Sequence, residues 1–367
     1  MKENYKNPGD LIRELIVERG WSQVELANML GLAPATVNQV VNSKRPITPE
    51  LAKLFAIAFD RMPEEFVEVQ GRWDLFTLPE PNAEVRERVK LHEAFPFREM
   101  VKRGWLNEPS KIEGPYNALC RFFGVNSVEA IKSLPHAAKK TPSDEGIGSQ
   151  LAWLYRVKAI AREMPTPQYD KAKLEKAIAQ MSLMRGAPEE TRHVAKLLHD
   201  AGVRFVIVEG LPGGRIDGVC FWLDAQSPVI GMSLRFDRID NFWFVLRHEC
   251  AHVLHGHGKT AAIIDNDINQ SDTDVDEEEH VANTEASDFC VAREKMVSFY
   301  QRKKPLFSDI DIRSFAQIQH VHPGLVVGQL QHMSGQYKLG RQHLVGVRKH
   351  VTSTAIVDGW GDIIPTN

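Results

Sequence analysis

Five consecutive apolar residues, Phe242-Trp243-Phe244-Val245-Leu246, run directly into Arg247-His248-Glu249-Cys250-Ala251-His252-Val253-Leu254-His255, and this stretch constrains the chain more than any other. The apolar run predicts a helix packed into an interior. Unsatisfied imidazoles in an interior are costly. On a helix, residues four apart share a face, so His248 and His252 present two ring nitrogens side by side. A shared tetrahedral cation meets both demands, and imidazole ligands suit zinc (Zn2+). The alternative is a surface helix whose two histidines merely align, and the apolar flank weighs against it. Glu249 projects about 100° round from His248, beside such an ion without ligating it. That is the place for a general base that takes a proton from a water.

A catalytic site of this kind takes a third protein ligand and keeps a fourth position open. Glu285, in Glu285-Ala286-Ser287-Asp288-Phe289-Cys290, is the expected third ligand, on a helix whose Val281, Phe289 and Ala292 turn inward. Asp288, one turn on, is expected to orient a ligating histidine. His255 and His257 are expected to be solvated or to stand behind the ligands. Upstream, 189–198 reads as helix, and 203–208, 219–223 and 229–232 read as short apolar strands divided by Gly, Pro and Asp turns. The acidic run 265–279 has the composition of a mobile loop.

Helix, short strands, His248-Glu249-Cys250-Ala251-His252 and Glu285-Ala286-Ser287-Asp288-Phe289 together resemble the ImmA/IrrE family of metallopeptidases over 188–345. The resemblance implies a zincin-like peptidase domain whose site is completed by the glutamate of the Glu-Ala-x-x-Phe segment, here Glu285. The segment 322–332 resembles the C-terminal part of that family's regulator-fused members. Cys250 and Cys290 stand where Leu or Ala is more usual, and the acidic loop is long.

Residues 1–70 read as short helices separated by capped turns. Pro8 suits a first turn, Ser22-Gln23-Val24-Glu25 is a capping box, Gly31 ends a second helix and Pro34 opens a third. In the third helix Val37, Val40 and Val41 face the core, which leaves Ala35, Thr36, Asn38 and Gln39 outward. In a helix-turn-helix that surface enters the major groove. Asn38 and Gln39 carry the amide pair that fits adenine, while Ala35 and the Thr36 methyl suit a thymine methyl. Gln23, Lys44 and Arg45 are placed for phosphates. Residues 8–70 resemble phage-repressor-type regulators, and 7–11 with 20–27 resemble HigA-type antitoxins. That resemblance implies a homodimer on double-stranded operator DNA, often with a partner toxin.

A chain of 367 residues is too long for one ordinary core, so two domains plus connecting material are expected. A net charge of −3 excludes a polycation that coats nucleic acid, so DNA contact must be local. Four cysteines without a CxxC pair predict reduced thiols, and an N-terminus without an apolar leader and no bilayer-length apolar stretch predict a cytoplasmic chain with no membrane partner.

The expected fold is mainly α with a small β-sheet (α+β). It comprises an all-α helix-turn-helix domain over 1–70, a helical connector over 71–187 with a linker near 141–148, the peptidase domain over 188–345 and a tail over 346–367. The expected function is a DNA-binding transcriptional regulator with a zinc-dependent endopeptidase acting on a regulatory protein or on itself. The alternative is an antitoxin-like repressor whose zinc-holding domain grips a partner without cutting it. A metal-free scaffold is the third reading.

Overall fold

The computed structural model describes residues 7–80, 83–107, 115–127, 130–131, 146–259, 262–266, 277–362 and 364. The chain divides into two compact units, Met1–Val85 and Arg86–Asn367.

Among the described residues the regular structure of the first unit is helical: α1 (Pro8–Arg19), α2 (Gln23–Met29), α3 (Pro34–Val41), α4 (Pro49–Phe59) and α5 (Pro63–Thr77). Each start has a local cause. Asn7 caps α1 by accepting the Gly9 N–H at 2.8 Å, and Ser22 and Glu25 form the reciprocal capping box of α2. The Ser22 amide holds the Glu25 carboxyl below the usual carboxylate range. Ile12, Leu26, Val37, Phe55, Phe59 and Phe66 fill the core. α5 runs on past the boundary expected at 70, and its Gln70 Oε1 accepts the Ile47 N–H at 2.9 Å.

Helix α6 (Ala83–Ala94) contains the boundary between the units, and in the second unit it is followed by α7 (Phe97–Lys102), α8 (Pro115–Phe123), α9 (Ile147–Glu163) and α10 (Lys171–Met184). After a 3-10 turn (Pro188–His193) come α11 (Val194–Asp200), β1 (Arg204–Val208), β2 (Ile216–Trp222), β3 (Pro228–Met232) and α12 (Ile239–His255). β4 (Ile263–Asn266), α13 (Glu277–Cys290), α14 (Arg293–Lys303), α15 (Asp309–Ile318), α16 (Pro323–Ser334), α17 (Arg348–Val351) and β5 (Ile356–Asp358) follow.

The strands form one sheet in the order β4-β2-β3-β1-β5. β1 is parallel to β3 and β5, and β2 is antiparallel to β3 and β4. Both faces are covered. Phe205 and Ile207 of β1 join the core cluster that contains α12, whereas Val206 and Val208 join the cluster that contains α9. Burial on two faces is why these strands are continuously apolar rather than alternating.

Three expectations meet different structure. The 346–367 tail supplies α17 and β5, and β5 pairs with β1. Its Asp358 is buried, with Oδ2 accepting from Arg156 Nε at 2.5 Å and Trp105 Nε1 at 2.9 Å. A three-residue strand carries no periodicity to read. Of the linker 141–148, residues 141–145 lie outside the described residues; Ile147 begins α9, whose Trp153 Nε1 donates to Val208 O at 2.7 Å. Of the acidic run, Asp265 lies in β4 and Glu277–Glu279 form the first turn of α13, while 267–276 lie outside the described residues. Among the described residues no helix is long and apolar enough to cross a membrane.

Candidate metal centre and DNA-reading surface

α12 is seated by Phe242, Trp243, Val245 and Leu246, all buried in the core. That packing carries His248, Glu249 and His252 inside, each at 0% exposure. The two histidine Nε2 atoms lie 3.0 Å apart. Glu279, in the first turn of α13, places Oε2 3.3 Å from His248 Nε2 and Oε1 3.5 Å from His252 Nε2. Tetrahedral donors with bonds near 2.0–2.1 Å stand about 3.3 Å apart. The triad therefore fits zinc in both spacing and donor type, two imidazoles and a carboxylate. Behind it, His257 Nδ1 lies 3.0 Å from His252 Nδ1.

Glu249 lies against β2. A Cβ built on Gly218 would lie 2.0 Å from Glu249 Oε1, so this carboxylate occupies space that any side chain at 218 would fill. Gly218 is a site residue that sequence reading missed. A glycine inside an apolar strand, where close approach is one standard reason for it, was the available signal.

Glu285, expected as third ligand, is not brought to the histidine pair. Its Oε2 accepts from Arg247 at 2.7 Å and its Oε1 lies 2.9 Å from His255 Nε2. The reason is helical phase: positions 279 and 285 are about 240° apart around α13, so only one of them faces the pair. Burial pushes the Glu285 carboxyl up, but hydrogen bonds from His255 and Arg247 outweigh it and leave it below the usual carboxylate range. Asp288 Oδ1 accepts the Arg293 N–H at 2.9 Å, and no hydrogen bond from it to a histidine is found among the described residues. Cys250 and Cys290 are buried thiols pushed up to about 12 by desolvation.

In the first unit, Ala35, Asn38, Gln39, Lys44 and Arg45 are exposed, with Gln23 and Thr36 half-buried. Asn38 is committed within the protein. Its Nδ2 donates to Gln23 Oε1 at 3.1 Å and its Oδ1 accepts from Asn42 Nδ2 at 3.2 Å. The Asn38 and Gln23 amides thus brace α2 against α3, which leaves Gln39 as the outward amide of the recognition helix. Gln39 O accepts the N–H groups of Lys44 (2.8 Å) and Arg45 (3.2 Å), which ties the basic pair to the end of that helix.

Residues 12–66 match the model of the helix-turn-helix family. The chain is also 31% identical over 72 residues to YddM of Escherichia coli (strain K12), described as an uncharacterized HTH-type transcriptional regulator; the match spans 20% of this chain and 77% of that protein. The family match falls on the first unit, which is a DNA-binding helix-turn-helix domain.

Proposed function

Because the chain belongs to the helix-turn-helix family of transcriptional regulators, whose DNA-binding domain it carries in residues 12–66, we propose that it is an operator-binding regulator whose second unit is a zinc endopeptidase. The peptidase acts on a regulatory protein or on the chain itself. One observation carries this reading: His248, His252 and Glu279 bring three ligand atoms within 4.8 Å of one another, with Glu249 next to His248 on the same helix. DNA binding as a homodimer on a pseudo-palindromic operator supplies the affinity that one small domain lacks.

His248, His252 and Glu279 would hold the ion, and His257 would fix the His252 ring. When bound, zinc polarises a peptide carbonyl and makes a water acidic near neutrality. Glu249 takes that proton on its carboxylate and later delivers it to the leaving amine nitrogen. Gly218 leaves room for the carboxylate, and the surrounding apolar packing keeps bulk water out.

A second reading has its own observation. His248, Glu249 and His252 are all at 0% exposure, the closure expected of a module that holds zinc for structure and grips a partner uncut. Glu249→Gln separates the two. The amide cannot accept the proton, so fold and metal content persist while turnover falls about 10²-fold or more. The assay co-expresses the protein with the products of neighbouring genes and looks for fragments of a partner or of this chain. Equal fragments from wild type and variant, or none from wild type while repression persists, would leave the binding module as the function.

A further inference from the structure

A cavity of about 260 Å3 lies in the second unit and uses no residue of the metal centre. Its position follows from the sheet. β1 runs parallel to β3 and β5, so the residues that leave these strands, Glu209, Leu234, Arg235 and Trp360, gather at one end and line the cavity. In sheets of this kind ligands bind outside the carboxyl ends of parallel strands. β2 runs the other way, so Arg215 joins from before its start, and Arg348 joins from α17.

Three guanidiniums and one carboxylate therefore line a single space. Arg235 is paired with Asp217 at 3.2 Å, and Glu209 Oε2 accepts the Trp360 N–H at 2.7 Å. Arg348 donates to Leu234 O at 3.2 Å and lies 4.6 Å from the Trp360 ring centroid, yet its Nε is buried with no hydrogen-bond partner among the described residues. A buried charged donor left unmade is expensive, and an anion in the cavity would satisfy it.

The backbone agrees. Arg215 (φ 48°), Leu234 (φ 47°) and Trp360 (φ 50°) are three of the six non-glycine residues in the left-handed region among the described residues, and all three line this cavity. Bulky side chains rarely adopt that conformation, and positions that do cluster at ligand clamps.

We propose that the cavity binds a small organic anion, a carboxylate or phosphate on an apolar or aromatic body. Arg348 and Arg215 take the anionic group, in the paired geometry that guanidinium offers both oxyanions. Trp153 and Leu234 supply apolar wall for the body. The volume lies just below the usual range of ligand pockets, which suits a small metabolite rather than a peptide.

The test titrates the full-length protein with phenylacetate, with inorganic phosphate and with the neutral phenylacetamide, by calorimetry and tryptophan fluorescence. Saturable one-to-one binding of at least one anion and none of the amide is expected, and which anion binds identifies the head group. Arg348→Gln should weaken it about tenfold or more. Because Arg348 also holds Leu234 O, the exposed Arg215→Gln is the second variant, with weaker binding and unchanged Tm. His252→Ala should bind as wild type, which separates this site from any anion held at the metal centre. No saturation with either anion, equal binding of the amide, or undiminished binding in Arg215→Gln and Arg348→Gln overturns the proposal.

Discussion

Gly218 on β2 and Glu249 on α12 meet so closely that a Cβ on the glycine would also stand 2.9 Å from Val245 Cγ1, with strand and helix both in the way. The carboxylate rests against bare strand backbone. Gly218→Ala should therefore cost about 1–3 kcal/mol, the usual scale of overpacking. Glu249→Asp, one methylene shorter, should relieve part of that cost. Denaturant unfolding of wild type, both single variants and the double variant measures the coupling. Additivity within about 0.5 kcal/mol would mean that the two residues do not press on one another.

Metal content decides the ligand set. His248→Ala, His252→Ala and Glu279→Gln should each lose most of the bound zinc on dialysis, whereas Glu285→Gln should keep it. His257→Ala should weaken zinc affinity by roughly 10–100-fold, the range for an outer partner of a ligand. Stoichiometric zinc in Glu279→Gln together with loss in Glu285→Gln would restore the ligand expected from sequence.

On DNA, Gln39→Ala should relax base preference. Lys44→Ala should weaken binding evenly across sequences and lower the salt slope by about 1. Asn38→Ala should act differently, through loss of its bonds to Gln23 and Asn42, and should lower the Tm of the first unit as well as affinity. A binding-site selection run on all three variants distinguishes these outcomes. Unchanged specificity in Gln39→Ala would remove it from base readout.

His322 predicts a pH dependence. It caps α16 through Nδ1, which accepts the Gly324 N–H at 3.0 Å, a bond only the neutral ring can make. Burial, reinforced by His343, pushes its pKa below the usual 6.5. The unfolded chain thus binds more protons than the folded one, so this contribution is full above that value and is lost as pH falls through the folded pKa. His322→Asn keeps a capping acceptor and removes the titration. Thermal unfolding between about pH 7.5 and 5 should fall more steeply in wild type than in the variant. Parallel curves would assign the acid sensitivity elsewhere.

The buried helix that carries His248 and His252 was legible because two independent demands met in one stretch, apolar packing from Phe242 to Leu246 and paired imidazoles four residues apart. The carboxylate that meets those imidazoles was not. Glu279 lies at the end of an acidic run that reads as loop, and the helical phase of α13 turns it toward the pair while turning Glu285 toward Arg247. β5 was invisible for another reason: three residues hold no period, and Asp358 gains meaning only from Arg156 and Trp105, far away in sequence.

By itself, then, the sequence determined what short-range physics controls: the capped helices of the DNA-binding unit, the apolar strands, and the two histidines on one face of one helix. Tertiary structure decided which distant groups meet those faces. Glu279 at the imidazoles, Gly218 beneath Glu249, Gln23 against Asn38 and the arginines at the strand ends are all set by helical phase and strand direction. Such contacts depend on where an element starts and which way it runs, and neither is encoded in the residues that finally touch.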